Sequence, residues 1–107
     1  MVRKMKEIEV NARNFDAEIM GSDKPVLADF WATWCGPCRM LGPVIAQIAE
    51  EREDIKVCKI NVDEAPELAQ QFNVFSIPTV ILFKNGEIAG QSVGFVPKQQ
   101  LLDLIDR

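Results

Sequence analysis

The chain predicts an α/β fold, a central mixed sheet with helices on both faces. Three observations carry that reading. Strand-like and helix-like stretches alternate along the chain. Residues 26–31, Val-Leu-Ala-Asp-Phe-Trp, form an almost wholly apolar run, the pattern of a strand covered on both sides. Asn85-Gly86 stands between two further strand-like runs, a signal for a tight hairpin that adds an antiparallel strand.

In order along the chain, residues 7–10 read as a short edge strand. Residues 14–20 read as a helix, with Asn14 as N-cap and Gly21 as stop. Pro25 opens the apolar strand 26–31. A long helix is expected from 35 to 52, with Met40, Leu41, Val44, Ile45, Ile48 and Ala49 at helical spacing. Pro43 lies inside it and should bend it, because proline lacks an N–H and crowds the preceding turn. Residues 55–62 form the next strand, and residues 64–72 a short helix with Asp63 as N-cap. Residues 79–83 and 88–93 are the two arms of the hairpin, and Gly94 breaks the second arm. Pro97 begins a last amphipathic helix with Leu101, Leu102, Leu104 and Ile105 on its apolar side. The order is βαβαβαββα, and 107 residues without a repeat or linker suit one domain, 1–107.

Composition narrows the function. The net charge of −4, from 16 acidic and 12 basic residues, argues against a nucleic-acid surface, which needs clustered Lys and Arg. The basic start, Arg3, Lys4 and Lys6, reads as a solvated end. No apolar run approaches a membrane span, so no membrane partner is expected. The first residues are not followed by the apolar stretch of a secretory signal, and a cytoplasmic location is expected. In a reducing compartment a cysteine pair is more often catalytic or metal-binding than a permanent staple.

That pair is Cys35 and Cys38, within Trp34-Cys35-Gly36-Pro37-Cys38 and directly after the apolar strand. Positions three apart share a helix face, so the two sulfurs can meet. A strand feeding a Cys-x-x-Cys helix start is a redox pattern. A cysteine at a helix N-terminus faces unpaired N–H groups and the positive end of the dipole, which stabilise its thiolate. Cys35 should occupy that place and attack a target disulfide. Cys38, one turn further in, should be more buried and less acidic, and should resolve the mixed disulfide. Gly36 tolerates a tight entry into the helix, and Pro37 loses little by lacking an N–H there. A zinc site is the competing reading. It normally takes four ligands, and this chain offers three cysteines and no histidine, so no metal is expected.

Asp29 is the one charge in the run 25–34, and burial should raise its pKa. The residues alone leave it open between a general acid/base for the Cys38 proton and a satisfied structural carboxylate. Lys59, on the next strand, reads by itself as an ordinary strand lysine. Pro78 precedes a strand, and its peptide bond, judged from residue type, favours trans. Trp31 fits the core and Trp34 an exposed place. Cys58, in an apolar strand, reads as a small buried hydrophobe.

These residues resemble a known family. Residues 29–38, Asp-Phe-Trp-Ala-Thr-Trp-Cys-Gly-Pro-Cys, look like the active-site signature of the thioredoxins. Ile77-Pro78-Thr79, Lys84-Asn85-Gly86 and Val93-Gly94 resemble further family segments, in the right order along nearly the whole chain. The resemblance implies the thioredoxin fold, a five-stranded mixed sheet flanked by four helices in a single domain. It implies general protein-disulfide reduction, with electrons restored by a thioredoxin reductase; a monomer is expected. The Cys35–Cys38 pair is then the redox group, with no nicotinamide, flavin or other cofactor. It favours catalysis for Asp29, places Lys59 beside it, and implies a cis Ile77–Pro78 bond facing the cysteines. Trp34, Gly36, Pro37, Ile77, Pro78, Gly94 and Phe95 would form the apolar docking surface for disulfide-containing clients, with the Ile77 backbone pairing an extended client segment. Gly42, Phe72 and Phe75-Ser76 depart from common family usage, which bears on client preference. The alternative is a non-catalytic interaction or chaperone subunit on the same fold, against which the intact Cys-Gly-Pro-Cys stands. An oxidase or isomerase would carry other residues between the cysteines.

Overall fold

The computed structural model describes residues 6–107; Arg3 and Lys4 of the basic start lie outside the described residues, and Lys6 sits 3.6 Å from Glu53. Five strands, β1 (Glu7–Glu9), β2 (Val26–Trp31), β3 (Lys56–Asn61), β4 (Thr79–Lys84) and β5 (Glu87–Val93), form one sheet in the order β1-β3-β2-β4-β5. β1 and β2 run parallel to β3, whereas β4 is antiparallel to both β2 and β5. The sheet is therefore mixed, with β1 at one edge as expected and β5 at the other.

Alternation along the strands sorts side chains between two cores. On one face Leu27, Val57, Val80 and Leu82 meet α1 (Gly36–Glu51) and α3 (Lys98–Asp106) through Leu41, Ile45, Ile48, Leu101 and Leu104. On the other, Val26, Ala28, Phe30, Cys58, Ile60 and Phe83 meet α2 (Pro66–Gln71) and a π-helical turn, Asp16–Met20. Phe72 packs there tilted against Phe15 and edge-to-face against Phe83, with ring centroids 5.4 and 5.3 Å apart. Helices thus cover both faces, and β2 is buried on both.

Several local expectations fail for identifiable reasons. Residues 14–20 do not make an ordinary helix. Gly21 donates its N–H to the Asp16 carbonyl five residues back, at 2.8 Å, which widens the turn to the π form. Asn14 is not its N-cap; its Oδ1 accepts from the Asn11 N–H and its Nδ2 donates to the Glu9 carbonyl, tying β1 to the turn. Asp63 caps nothing either. α2 starts two residues later, with Ala65 as the half-in residue and Pro66 at the first helical position. Met40 keeps helical spacing but points outward, 61 % exposed. Pro43 stands inside α1, which runs through it as one helix.

The hairpin forms as the Asn-Gly pair requires. Asn85 and Gly86 both take positive φ, 53° and 78°, which glycine adopts freely and asparagine tolerates. Leu82 pairs with Gly90 and Phe83 with Ile88, so Ala89 is left over as a bulge in β5. At Gly90 the tip of the Leu104 side chain occupies the place a Cβ would take and would have to shift for one, so α3 seats directly on the strand.

Candidate active site

The parallel strands β2 and β3 end at Trp31 and Asn61, and the chain leaving β2 turns into α1 within five residues. Cys35 is the N-cap of α1, with extended backbone, and Gly36, Pro37 and Cys38 are its first three helical residues. The two sulfurs are joined as a disulfide, their Cα atoms 5.3 Å apart. The Cys38 N–H donates to Cys35 Sγ at 3.2 Å, a bond from the helix start that stabilises charge on that sulfur. Cys35 Sγ also lies 3.6 Å from the Ile77 carbonyl oxygen, within reach of the S–H once the pair is reduced. In this oxidised state the cysteines are equally covered, each 5 % exposed. The expected difference in burial is therefore absent, and the asymmetry between them rests on hydrogen bonding: one backbone N–H aims at Cys35 because it caps the helix.

Ile77 belongs to a loop fastened at three points. Val74 N–H donates to the Ala69 carbonyl at 2.8 Å, Thr79 Oγ1 donates to the Ser76 carbonyl, and Gly94 N–H donates to the Pro78 carbonyl at 2.7 Å. The Ile77–Pro78 peptide is cis, as the resemblance implied and residue type did not. Ile77 is half-buried against the disulfide and Ala32, whereas Pro78 is buried and offers little surface of its own, contrary to expectation. Gly94, at φ 87°, turns the chain out of β5 and leaves Phe95 44 % exposed. Gly36 and Pro37 are exposed on the first turn of α1.

Trp34 is 65 % exposed, yet its ring is anchored, its Nε1–H donating to Asp63 Oδ2 at 2.8 Å. This use of Asp63 was missed in the sequence, where a carboxylate just before a short helix reads as a cap. Trp31 is half-buried against the disulfide, with Lys59 Nζ 4.7 Å from its ring centroid. Arg39, next to Cys38, turns away, its guanidinium donating twice to the Thr33 carbonyl, at 2.9 and 3.2 Å.

Asp29 is 1 % exposed and pairs in register with Lys59 on β3. Its side chain shares a sheet face with Leu27, the face beneath α1. Oδ2 is 3.9 Å from Lys59 Nζ, too long for a hydrogen bond, and Oδ1 has no hydrogen-bond partner among the described residues. Burial pushes its pKa up to about 6; Lys59 pulls it back, and Glu7 on β1 adds to the rise. Such a carboxyl can take or give a proton near neutral pH. Cys58 faces the opposite core, fully buried, and burial raises its thiol to about 12, the state of an inert side chain.

Among the described residues no group of three or more His, Cys, Asp or Glu could hold a metal ion, and no helix is long and apolar enough to cross a membrane. The arrangement suits exchange between a dithiol and a disulfide. Comparison with known proteins leads the same way. The thioredoxin family model matches residues 6–107. A thioredoxin of Chlorobaculum thiosulfatiphilum is 49 % identical over 102 residues, 94 % of each chain. One of Alicyclobacillus acidocaldarius is 56 % identical over 89 residues, 82 % of this chain and 84 % of the relative. A protein of Mycobacterium leprae named bifunctional thioredoxin reductase/thioredoxin is 52 % identical over 101 residues, which are 92 % of this chain and 22 % of that one.

Proposed function

The chain belongs to the thioredoxin family and is a dithiol–disulfide oxidoreductase acting on protein disulfides; from that premise we propose how its residues divide the work. The Cys35 thiolate attacks one sulfur of a client disulfide. A Cys35–client disulfide forms, and the other client sulfur leaves as a thiolate. The Cys38 thiolate then attacks Cys35 Sγ and expels the second client thiolate. The client gains two electrons and, from solvent, two protons, and the chain is left with the Cys35–Cys38 disulfide.

Asp29 takes the Cys38 proton in the second step, through water. What supports this is a buried carboxyl with one oxygen unpaired among the described residues and a pKa raised by burial to about 6. Lys59 tempers that rise, so the group still ionises near neutrality. Trp34, Gly36, Pro37, Ile77, Gly94 and Phe95 form the surface on which the client segment lies, with Pro78 shaping the loop from within.

A thioredoxin reductase returns two electrons to the disulfide. The relative whose name joins both activities in one chain supports that partnership. We place the working protein in the cytoplasm, as a monomer, where a reducing pool keeps the cycle supplied.

The observation that carries the assignment is Cys35 as sulfur cap of α1, accepting the Cys38 N–H at 3.2 Å and standing against Ile77. Insulin-disulfide reduction tests it. Cys35→Ser abolishes turnover, while Cys38→Ser attacks once and stalls as a mixed disulfide. If Cys38→Ser rather than Cys35→Ser lost the initial attack, the roles would be reversed.

A further inference from the structure

Phe75 is the most exposed large apolar side chain among the described residues, at 88 %. Leaving a phenylalanine in water forgoes about 1.5–3 kcal/mol of burial. Its neighbour Phe72 takes that gain inside the aromatic cluster, so a buried place for an aromatic ring lies close by in the chain.

Two features separate Phe75 from an ordinary stray surface residue. Its loop is held, with Val74 bonded to Ala69 on one side and Ser76 to Thr79 on the other. A fixed backbone presents its side chain at little entropic cost to a partner. It is also one of a group. Trp34, Phe75, Val93 and Phe95 are 65, 88, 55 and 44 % exposed, and all lie on the three segments around Cys35. Trp34 precedes it in the chain, Phe75 stands two residues before its contact Ile77, and Val93 and Phe95 flank Gly94, which bonds to Pro78. Phe75 therefore carries the apolar surface along the loop that leads into Ile77.

We propose that Phe75 is a specificity-determining residue that receives an apolar side chain from the client segment flanking the attacked cysteine, so that this chain favours disulfides set in apolar sequence. This deepens the reductase reading and rests on it. The occupant is the client segment itself, because the patch is continuous with the surface the mixed disulfide must cover. An exposed aromatic side chain that goes from water into contact with an apolar client residue gains the burial it forgoes in the free chain.

Two cystine peptides of equal length test this, one with Leu and Phe flanking its cysteines and one with Ser and Asp. The readout is the ratio of their kcat/KM values. The unaltered chain favours the apolar peptide by about tenfold, the size of one good apolar contact. Phe75→Ser brings the ratio near one, and Phe75→Leu restores most of it. Ile88→Ser, which removes an exposed apolar residue at the far hairpin, keeps the unaltered ratio. A Phe75→Ser chain that keeps the preference, or an Ile88→Ser chain that loses it equally, overturns the proposal. An unaltered chain that reduces neither peptide nor a small aromatic disulfide overturns the reductase reading, and the proposal with it.

Discussion

The two ends of α1 are built on opposite terms. At its C-terminal end every strong group is matched. Arg52 closes the last turn through its N–H to Ile48 at 2.9 Å, and its guanidinium forks onto Asp54 and Asp106, with four contacts of 2.8–3.1 Å. The guanidinium holds both carboxyls below their usual range, and they hold it more firmly protonated in return. At the N-terminal end the first turn is capped by a sulfur, one residue has no N–H to offer, and the sheet face that α1 covers buries a carboxyl with an oxygen unpaired among the described residues. The stable end fastens α1 to α3, and the reactive end keeps groups in states they would not choose in water. Stability and chemistry are thus placed a helix length apart.

Asp29→Asn tests that contrast with the largest expected effect. The carboxyl titrates at about 6 in the folded chain against an ordinary 3.8. A raised folded value means protonation favours the fold, so the contribution is full below pH 3.8 and is lost as pH climbs through 6. By linkage the ionised group costs about 3 kcal/mol at pH 8. Asn cannot ionise, so denaturant unfolding should show the variant more stable by about that amount at pH 8 and equal near pH 3.5. The same variant should release the mixed disulfide about a hundredfold more slowly at pH 7, the lower range for loss of a general base, while the first attack keeps its rate. Equal stability at both pH values would remove the reactive end's cost from the account.

Arg52→Ala probes the other end and should act in the opposite direction. The two carboxylates are well exposed, so the loss is modest, a fall of a few degrees in melting temperature at low salt and less near 1 M salt. Because Asp54 and Asp106 have depressed folded values, their contribution is present above the ordinary carboxylate range and fades as pH falls below it. Reductase rates should not change. A rate change without a stability change would mean the ends are not independent.

The smallest effect is expected from Asp63→Ala, which frees the Trp34 indole. Losing one hydrogen bond of about 1 kcal/mol should lower kcat/KM for protein clients by roughly fivefold or less and increase Trp34 ring motion, read by time-resolved fluorescence anisotropy. If anisotropy stays fixed, the ring is held by something other than Asp63.

What the sequence could disclose follows from the range of the forces involved. The run 26–31 and the leucines and isoleucines of α1 and α3 are set by burial, which leaves a period in the chain, and the hairpin by two residues whose backbone freedom is intrinsic. Cys35 at the helix start and Asp29 in an apolar strand were legible for the same reason. Interactions that cross the chain were not. Asp63 looks like a local cap until Trp34, 29 residues away, takes its carboxylate. The π-helical turn depends on one N–H reaching a carbonyl a residue further than usual, which no apolar spacing records. Met40 keeps the core's rhythm yet lies past the edge of what α1 covers. The cis bond came from the family resemblance and not from residue type, and the equal coverage of the two cysteines belongs to the disulfide state.

The bulge at Ala89 has a meaning beyond register. A sheet with two free borders invites neighbours to dock strand against strand, which for a protein built to meet many partners would be a route to clumping. Among the described residues one border is three residues long, and the other is interrupted halfway and backed by Leu104 against Gly90. Neither margin offers a long straight template, so the molecule can leave its sticky aromatic surface open at one end without its own backbone becoming a second place to adhere.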